Sequence, residues 1–256
     1  MLLRLLVCLL LAALPVRAMA AECLAIASNQ AGPVITPAAL AEGEVRIEYL
    51  GHSTFLIESP GGIRIATDYA GYAGGIVPDV VTMNRAHSSH YTSTPDPRIQ
   101  QVLRGWSEDG SPAVIDVVVG DVRIRNVTTD IRGGEYGSRP DGNSIFVFEI
   151  GELCIGHLGH LHHELSPAHQ GMIGRLDIVM VPVDGGYTMA QVNMIQVLKE
   201  LRAQVVLPMH YFTLSNLNRF LSGIGEHFRV NRLFKQEVVL SAATLPEMPE
   251  VMVLGE

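Results

Sequence analysis

A cluster of histidines near the middle of the chain is the clearest chemical signal in the sequence. The segment from Ile155 to Leu165 reads IGHLGHLHHEL and contains four of them, at His157, His160, His162 and His163. An apolar run from Ser144 to Ile150 comes just before, and a second run covers Leu153 to Gly156. The histidines thus follow a predicted buried strand, where a rigid sheet can hold imidazoles for a metal ion. A histidine-rich surface loop is the alternative interpretation of this cluster taken alone.

The first twenty residues have the pattern of a secretory signal peptide. Arg4 precedes a leucine-rich core, and Ala18-Met19-Ala20 forms a small-residue cleavage site before Ala21. The core is short for a membrane span and contains Pro15. We therefore expect a periplasmic or secreted protein that does not stay in the membrane after cleavage. The remaining residues, 21–256, have the length of a single domain.

The composition is acidic, which argues against nucleic acid as a partner. The formal net charge is −8, and cleavage would remove Arg4 and Arg17 and leave −10. We expect a small-molecule substrate, and the sequence leaves the oligomeric state open.

The mature chain would keep Cys23 and Cys154, whose spacing does not suit a zinc site. Since exported proteins meet an oxidising environment, we predict a disulfide between them.

Apolar runs and turn signals predict many strands in the first half of the chain. The predicted strands are Val45 to Leu50, Thr54 to Glu58, Ile63 to Thr67, Asp79 to Met83, Ala113 to Val119, Val122 to Val127, Ser144 to Ile150, Leu153 to Gly156, Asp177 to Val183 and Val205 to Met209. A glycine-rich loop is predicted over Gly133 to Asn143.

Helices alternate with strands in the second half. Ser166-Pro167 is typical of a helix start. Thr188 and Gln191 have the spacing of a capping box for a helix that continues to about Leu201. A further helix is predicted near Leu214 to Gly223. The whole pattern predicts a layered α/β sandwich with polar residues at strand ends.

Five motifs, in order between about Val45 and Tyr211, resemble those of the metallo-β-lactamase superfamily. They are the hairpin GHSTFLI from Gly51, Thr67-Asp68, the run GHLGHLHH from Gly156, the loop PVDGGYT from Pro182, and the PMHY of Pro208 to Tyr211. The closest resemblance is to the branch of small metal-dependent hydrolases. It implies a four-layer αβ/βα sandwich with a metal site at one edge.

The chain departs from this family in its metal-binding motif. Where the family has HxHxDH, Arg85 stands at the first histidine and Ser89 at the aspartate, while His87 and His90 are kept. His160 takes the place of a bridging aspartate. Asp130 falls near a further family histidine, and His210 matches the last ligand.

The resemblance therefore implies a modified metal site. We expect the ligands to come from His87, His90, His160 and His210, holding one ion. Neutral imidazoles suit zinc best, and also iron, copper or nickel. Catalytic roles are expected for three polar residues, namely Arg85, Asp130 and Asp184. His52 and Asp68 are expected to support the site, His157 and His163 to orient neighbouring groups, and His162, His169 and His227 to lie at the surface.

Two functions fit these expectations. The first is an exported metal-dependent hydrolase with a mononuclear site, in which metal-bound hydroxide attacks an ester, amide or phosphoester and Arg85 holds the substrate's anion. The second is a non-catalytic metal-binding or ligand-binding protein on the same scaffold, because a fold by itself does not fix function.

Export predicts a defined N-terminus. If the signal peptide is cleaved after Ala20, mass spectrometry of protein secreted by its native host should find Ala21 as the first residue. Membrane-bound protein that retains Met1 would contradict this prediction.

Overall fold

Two β-sheets lie face to face in the computed structural model, which describes residues 40–133 and 137–255. The predicted signal peptide, the residues 21–39 and Cys23 lie outside this part. Cys154 is disulfide-bonded, and its pairing with Cys23 stays a prediction because Cys23 is not among the described residues. None of the described helices is long and apolar enough to cross a membrane.

Strands make up the first part of the described chain, and every described helix lies after residue 166. The strands are β1 Val45–Gly51, β2 Thr54–Glu58, β3 Arg64–Ala66, β4 Val80–Met83, β5 Gln101–Arg104, β6 Asp116–Val119, β7 Val122–Arg132, β8 Ser138–Ile150, β9 Leu153–His157, β10 Ile178–Pro182, β11 Val205–Met209, β12 Arg229–Arg232, β13 Glu237–Leu240 and β14 Glu250–Val253. The helices are α1 Pro167–Ile173, α2 Gln191–Leu201 and α3 Leu214–Ile224, with a short 3-10 turn at Ala242–Thr244.

The strand order brings the chemically important loops to one edge. The first sheet has the order β13-β1-β2-β3-β4-β5, and the second has the order β12-β14-β11-β10-β9-β8-β7-β6. Strands β9, β10 and β11 are parallel, as are β3, β4 and β5. Since parallel strands end at the same edge of a sheet, the segments that follow them meet there.

Apolar side chains form three layers of core. One cluster fills the space between the sheets and includes Phe55, Phe146 and Phe148. A second lies between the larger sheet and the helices, where α2 and α3 contribute Leu198 and Phe220. A third covers the outer face of the smaller sheet through irregular segments, without a described helix. The predicted α/β sandwich is therefore confirmed, with loops forming its fourth layer.

Two local expectations were wrong. The predicted loop from Gly133 to Asn143 is only partly a loop, because β8 already begins at Ser138 and pairs with β7. The predicted capping box does not form: α2 begins at Gln191 after Ala190, which makes no side-chain cap. The hydroxyl of Thr188 donates instead to Asp184, at the functional edge. By contrast, Ser166 caps α1 as predicted.

Candidate metal centre

Histidine side chains from four different segments meet at the edge where the parallel strands end. His52 lies in the β1–β2 turn, His87 and His90 follow β4, and His210 follows β11. One potential ligand atom from each of these four lies within 4.8 Å of the others. The ring of His160, which follows β9, has its centroid 5.1 Å from those of both His90 and His210. Five imidazoles therefore share one small volume.

Buried carboxylates fix the orientation of two of these rings. Nδ1 of His90 lies 2.5 Å from Oδ2 of Asp68, and Nδ1 of His210 lies 3.1 Å from Oδ1 of Asp184. Both rings are completely buried. A carboxylate only accepts hydrogen bonds, so each Nδ1 carries the proton and donates it. Each Nε2 is then left with its lone pair, which is how carboxylate–histidine pairs present nitrogen to a metal.

Those two lone pairs face each other. Nε2 of His90 and Nε2 of His210 are 3.2 Å apart. With both protons held at Nδ1, neither nitrogen can donate to the other, and the contact is unfavourable unless a cation lies beside it. Two nitrogens bound to one tetrahedral ion through bonds of 2.0–2.1 Å would be separated by about 3.3 Å. The observed spacing therefore fits two ligands of a single metal ion.

His160 supplies the third imidazole, and neither of its ring nitrogens has a described hydrogen-bond partner although both are buried. Buried polar atoms in native proteins are normally satisfied, so the chemistry of this unsatisfied pair beside other imidazole nitrogens fits a metal ligand. The backbone N–H of His160 donates to Asn143 at 2.7 Å, which fixes the loop. Gly159, with φ of 58°, allows this approach, because a Cβ there would lie 2.4 Å from the Asn143 side chain.

His87 and His52 form the solvent side of the centre, and Ser89 joins them. The Ser89 hydroxyl lies 2.6 Å from Nδ1 of His87 and 2.8 Å from Nε2 of His52. The His87 centroid is 4.5 Å from that of His90, and the His52 centroid is 4.3 Å from that of His210. Serine at the position of the family's aspartate thus removes a charge and adds a bridge between two imidazoles.

Three imidazoles of the centre, those of His52, His87 and His160, are neutral near pH 7. Burial, followed by repulsion from the neighbouring imidazoles, lowers the pKa of His160 to about 3. The same causes in the same order lower the pKa of His52 and of His87 to about 4. Burial alone would raise the pKa of Asp68, but His90 and Asn84 hold it well below the usual range. Metal binding requires that imidazole ligands be neutral and that carboxylates be ionised.

The expected ligands His87, His90, His160 and His210 are therefore brought together. Asp184 also belongs to the centre, through His210. No described contact brings Arg85 or Asp130 to the five histidines of the centre, and their catalytic roles stay predictions. The Arg85 guanidinium instead lies 3.6 Å from Glu108.

Asp130 lies with the second half of the histidine-rich run. Its backbone N–H donates to His163, and its carbonyl accepts from His162. No described hydrogen bond of His157 reaches the histidine centre or Asp130. Its Nε2 donates to the Ser53 carbonyl, and its Nδ1 accepts from the Gly159 N–H. This ring supports the loop that carries His160, as expected of a group that orients its neighbours.

The ring of His52, which the sequence analysis expects to support the site, belongs to the same group as the expected ligands. Its φ of 51° is a left-handed conformation that is uncommon outside glycine and favours a functional explanation. The signals for this position in the sequence were the preceding Gly51, its place in a turn between strands and the GHSTFLI motif that begins there.

The two-sheet fold and the histidine centre together define a protein of the metallo-β-lactamase fold class. The chain belongs to the family described as the β-lactamase superfamily domain, whose model matches residues 46–210. This confirms the resemblance seen in the sequence motifs.

Similar proteins are known from archaea and bacteria. A UPF0173 protein of Pyrococcus furiosus is 26% identical over 188 residues, which cover 67% of this chain and 85% of the relative. A UPF0173 metal-dependent hydrolase of Thermoplasma volcanium is 25% identical and covers 66% and 85%. A crystal structure from Thermotoga maritima, described as a proposed zinc-dependent hydrolase of the metallo-β-lactamase superfamily, is 27% identical with a TM-score of 0.59, over 82% of this chain and 98% of that one.

The pKa of His160 gives a test that needs no metal. Its folded-state pKa is lowered, so the ring should stay neutral as the pH falls from 7 to 5, where an unperturbed imidazole near pKa 6.5 becomes charged. NMR of metal-free protein, with the ring assigned through His160→Gln, should show no change in its Cε1 shift over this range. A transition near pH 6.5 would contradict the buried neutral state.

Proposed function

We propose that this chain is an exported hydrolase that uses one metal ion, zinc by preference, to cleave an ester, amide or phosphoester bond of a small molecule. The observation that carries the proposal is the pair of carboxylate-anchored imidazoles, His90 and His210, whose Nε2 atoms face each other at 3.2 Å. Export rests on the signal-peptide pattern of residues 1–20. Hydrolysis is supported by the similarity to metal-dependent hydrolases, and zinc by the ligand chemistry.

Four imidazoles would hold the ion. His90 and His210 would bind through Nε2, and His160 would use one of its unsatisfied nitrogens. His87 would be the fourth ligand, through Nε2, since its Nδ1 is bonded to Ser89. A coordinated water would then be a fifth ligand, which zinc accepts. Imidazole nitrogens are donors that zinc, iron, copper and nickel all bind.

The charge of the ligand set favours a single ion. Two divalent ions about 4 Å apart repel each other by about 16 kcal/mol at an effective dielectric constant of 20. Dinuclear centres offset this repulsion with bridging anions, but here His160 and Ser89 stand where the resemblance places aspartates. Asp68 and Asp184 are already committed to His90 and His210. A second ion would therefore lack the negative charge that it needs.

A zinc ion at such a centre supplies Lewis acidity and lowers the pKa of a coordinated water toward about 7. The protein's own groups keep the site in the required state. Asp68 and Asp184 hold the protons of His90 and His210 at Nδ1, and so keep each Nε2 free. Their hydrogen bonds also stabilise the positive charge that these rings share with a bound cation.

Ser89 sets the direction of hydrogen bonding on the open side. If His87 binds through Nε2, its Nδ1 carries a proton and donates it to the Ser89 oxygen. The single Ser89 proton is then donated to Nε2 of His52. This order gives His52 a supporting role, since its Nε2 is occupied, in agreement with the expectation from the sequence.

One set of variants tests this proposal. Wild-type protein saturated with zinc and then dialysed should retain about one equivalent by elemental analysis and should hydrolyse a member of an ester, amide and phosphodiester screen. His160→Ala should lose both the ion and the activity, because it removes a ligand. Ser89→Ala should retain the ion with an affinity about 10–100-fold weaker, as expected for a group that orients ligands.

His227→Ala is the matched control, because it removes an exposed histidine that has no described contact with the centre. It should keep both the ion and the activity. Two tightly held equivalents in wild type would overturn the mononuclear assignment. One held equivalent without any activity above that of His160→Ala would favour the non-catalytic metal-binding alternative.

A further inference from the structure

Two exposed aromatic rings stand beside the histidine centre. The side chains of Tyr187 and Phe212 are 66% and 54% exposed. Their centroids are 5.5 Å apart in an edge-to-face arrangement. The Phe212 ring also lies 5.3 Å from the His210 ring and 5.8 Å from the His52 ring. The pair therefore forms an apolar wall that continues from the centre toward solvent, and we call it the Tyr187–Phe212 wall.

The groups that build the centre also hold this wall in place. The Asp184 carboxylate, which orients His210, accepts the backbone N–H of Gly186 at 2.8 Å and that of Tyr187 at 2.5 Å. Phe212 comes two residues after His210, and its neighbour Tyr211 packs against the core cluster between the sheets. Both rings are thus carried by backbone that is fixed at the metal centre. Preformed apolar contacts of this kind lower the entropy cost of binding a ligand.

Core packing does not account for these rings, because more than half of each side chain faces solvent. An aromatic side chain can bury about 150–250 Å² and prefers edge-to-face or offset contacts with another ring. The Arg132 guanidinium donates to the Thr188 carbonyl at 2.8 Å, one residue from Tyr187, so the surroundings of the wall are not free of charge. The two rings themselves offer apolar and edge-to-face contacts to another aromatic ring.

We infer that the Tyr187–Phe212 wall is a substrate-binding subsite, and that the substrate carries an aromatic ring close to the bond that is cleaved. The inference rests on the proposed hydrolytic function for the identity of that bond. Binding of the ring to the wall is a separate property of the structure. An apolar partner protein or a second copy of the chain is the competing occupant.

Binding without turnover is therefore the deciding test. The probes are 2-phenylacetamide and acetamide, which share the amide and differ in the ring, measured by saturation-transfer NMR on the zinc-loaded mature protein. Wild type should bind 2-phenylacetamide more tightly than acetamide. Phe212→Ala and Tyr187→Ala should each weaken the binding of 2-phenylacetamide by about 2–10-fold and leave the binding of acetamide unchanged.

Phe234→Ala is the matched control, since Phe234 is 72% exposed and has no described ring contact with the centre. It should bind both probes as wild type does. Equal binding of the two probes to wild type, or unchanged binding to Phe212→Ala, would overturn the inference. So would sedimentation showing a wild-type dimer that Phe212→Ala converts to monomer. Tighter binding of the phenyl probe, together with no hydrolysis of any compound in the ester, amide and phosphodiester screen, would support the ring-binding subsite and contradict the proposed hydrolytic function.

Discussion

The hydrogen bonds from His90 to Asp68 and from His210 to Asp184 are the interactions on which the functional edge depends. Each places a proton at Nδ1 of a buried ring, and the two Nε2 atoms are left facing each other at 3.2 Å. Both carboxylates are buried and stay ionised through these and neighbouring hydrogen bonds. Without a cation, the arrangement puts two lone pairs in unfavourable contact. A metal ion bound by both nitrogens would relieve this contact.

The two sheets supply the rigidity that this geometry requires. Pro182 pairs with Met209 in the parallel register of β10 and β11, so that Asp184 and His210 leave the sheet side by side. On the other sheet, Asp68 follows β3 and the segment with His90 follows β4, its parallel neighbour. Asp68 and His210 have φ of 43° and 54°, conformations that cost about 1–3 kcal/mol each. Packed cores on both sides of the larger sheet sustain that strain.

The sequence predicted most of the fold because its apolar runs, turns and loop motifs agree with one another. It placed His90, His160 and His210 at strand ends correctly, since a buried strand followed by histidine leaves little choice of location. It did not predict the role of Thr188, because the spacing to Gln191 fits a helix cap as well as a contact with Asp184. The contacts of Arg85 could not be predicted either. Alignment to a motif gives the position of a residue along the chain but not the direction of a long side chain.

The positions of Tyr187 and Phe212 also could not be predicted from the sequence. Nothing in the local sequence distinguishes these two rings from core aromatics, and only tertiary structure shows that they are exposed and adjacent to His210. The Asp184 carboxylate links the two features, because it orients His210 and fixes the Tyr187 backbone at once. The proposed metal ligand His210 and the proposed subsite therefore depend on one carboxylate.

X-ray absorption spectroscopy of the zinc-loaded protein tests the central claim most directly. The account predicts a first shell of nitrogen and oxygen at about 2.0–2.1 Å with outer-shell scattering from the imidazoles of His87, His90, His160 and His210. It predicts no metal neighbour at the separation of about 3.5–4 Å that a dinuclear centre would have. A metal–metal vector at that distance, or a spectrum without imidazole scattering, would contradict it.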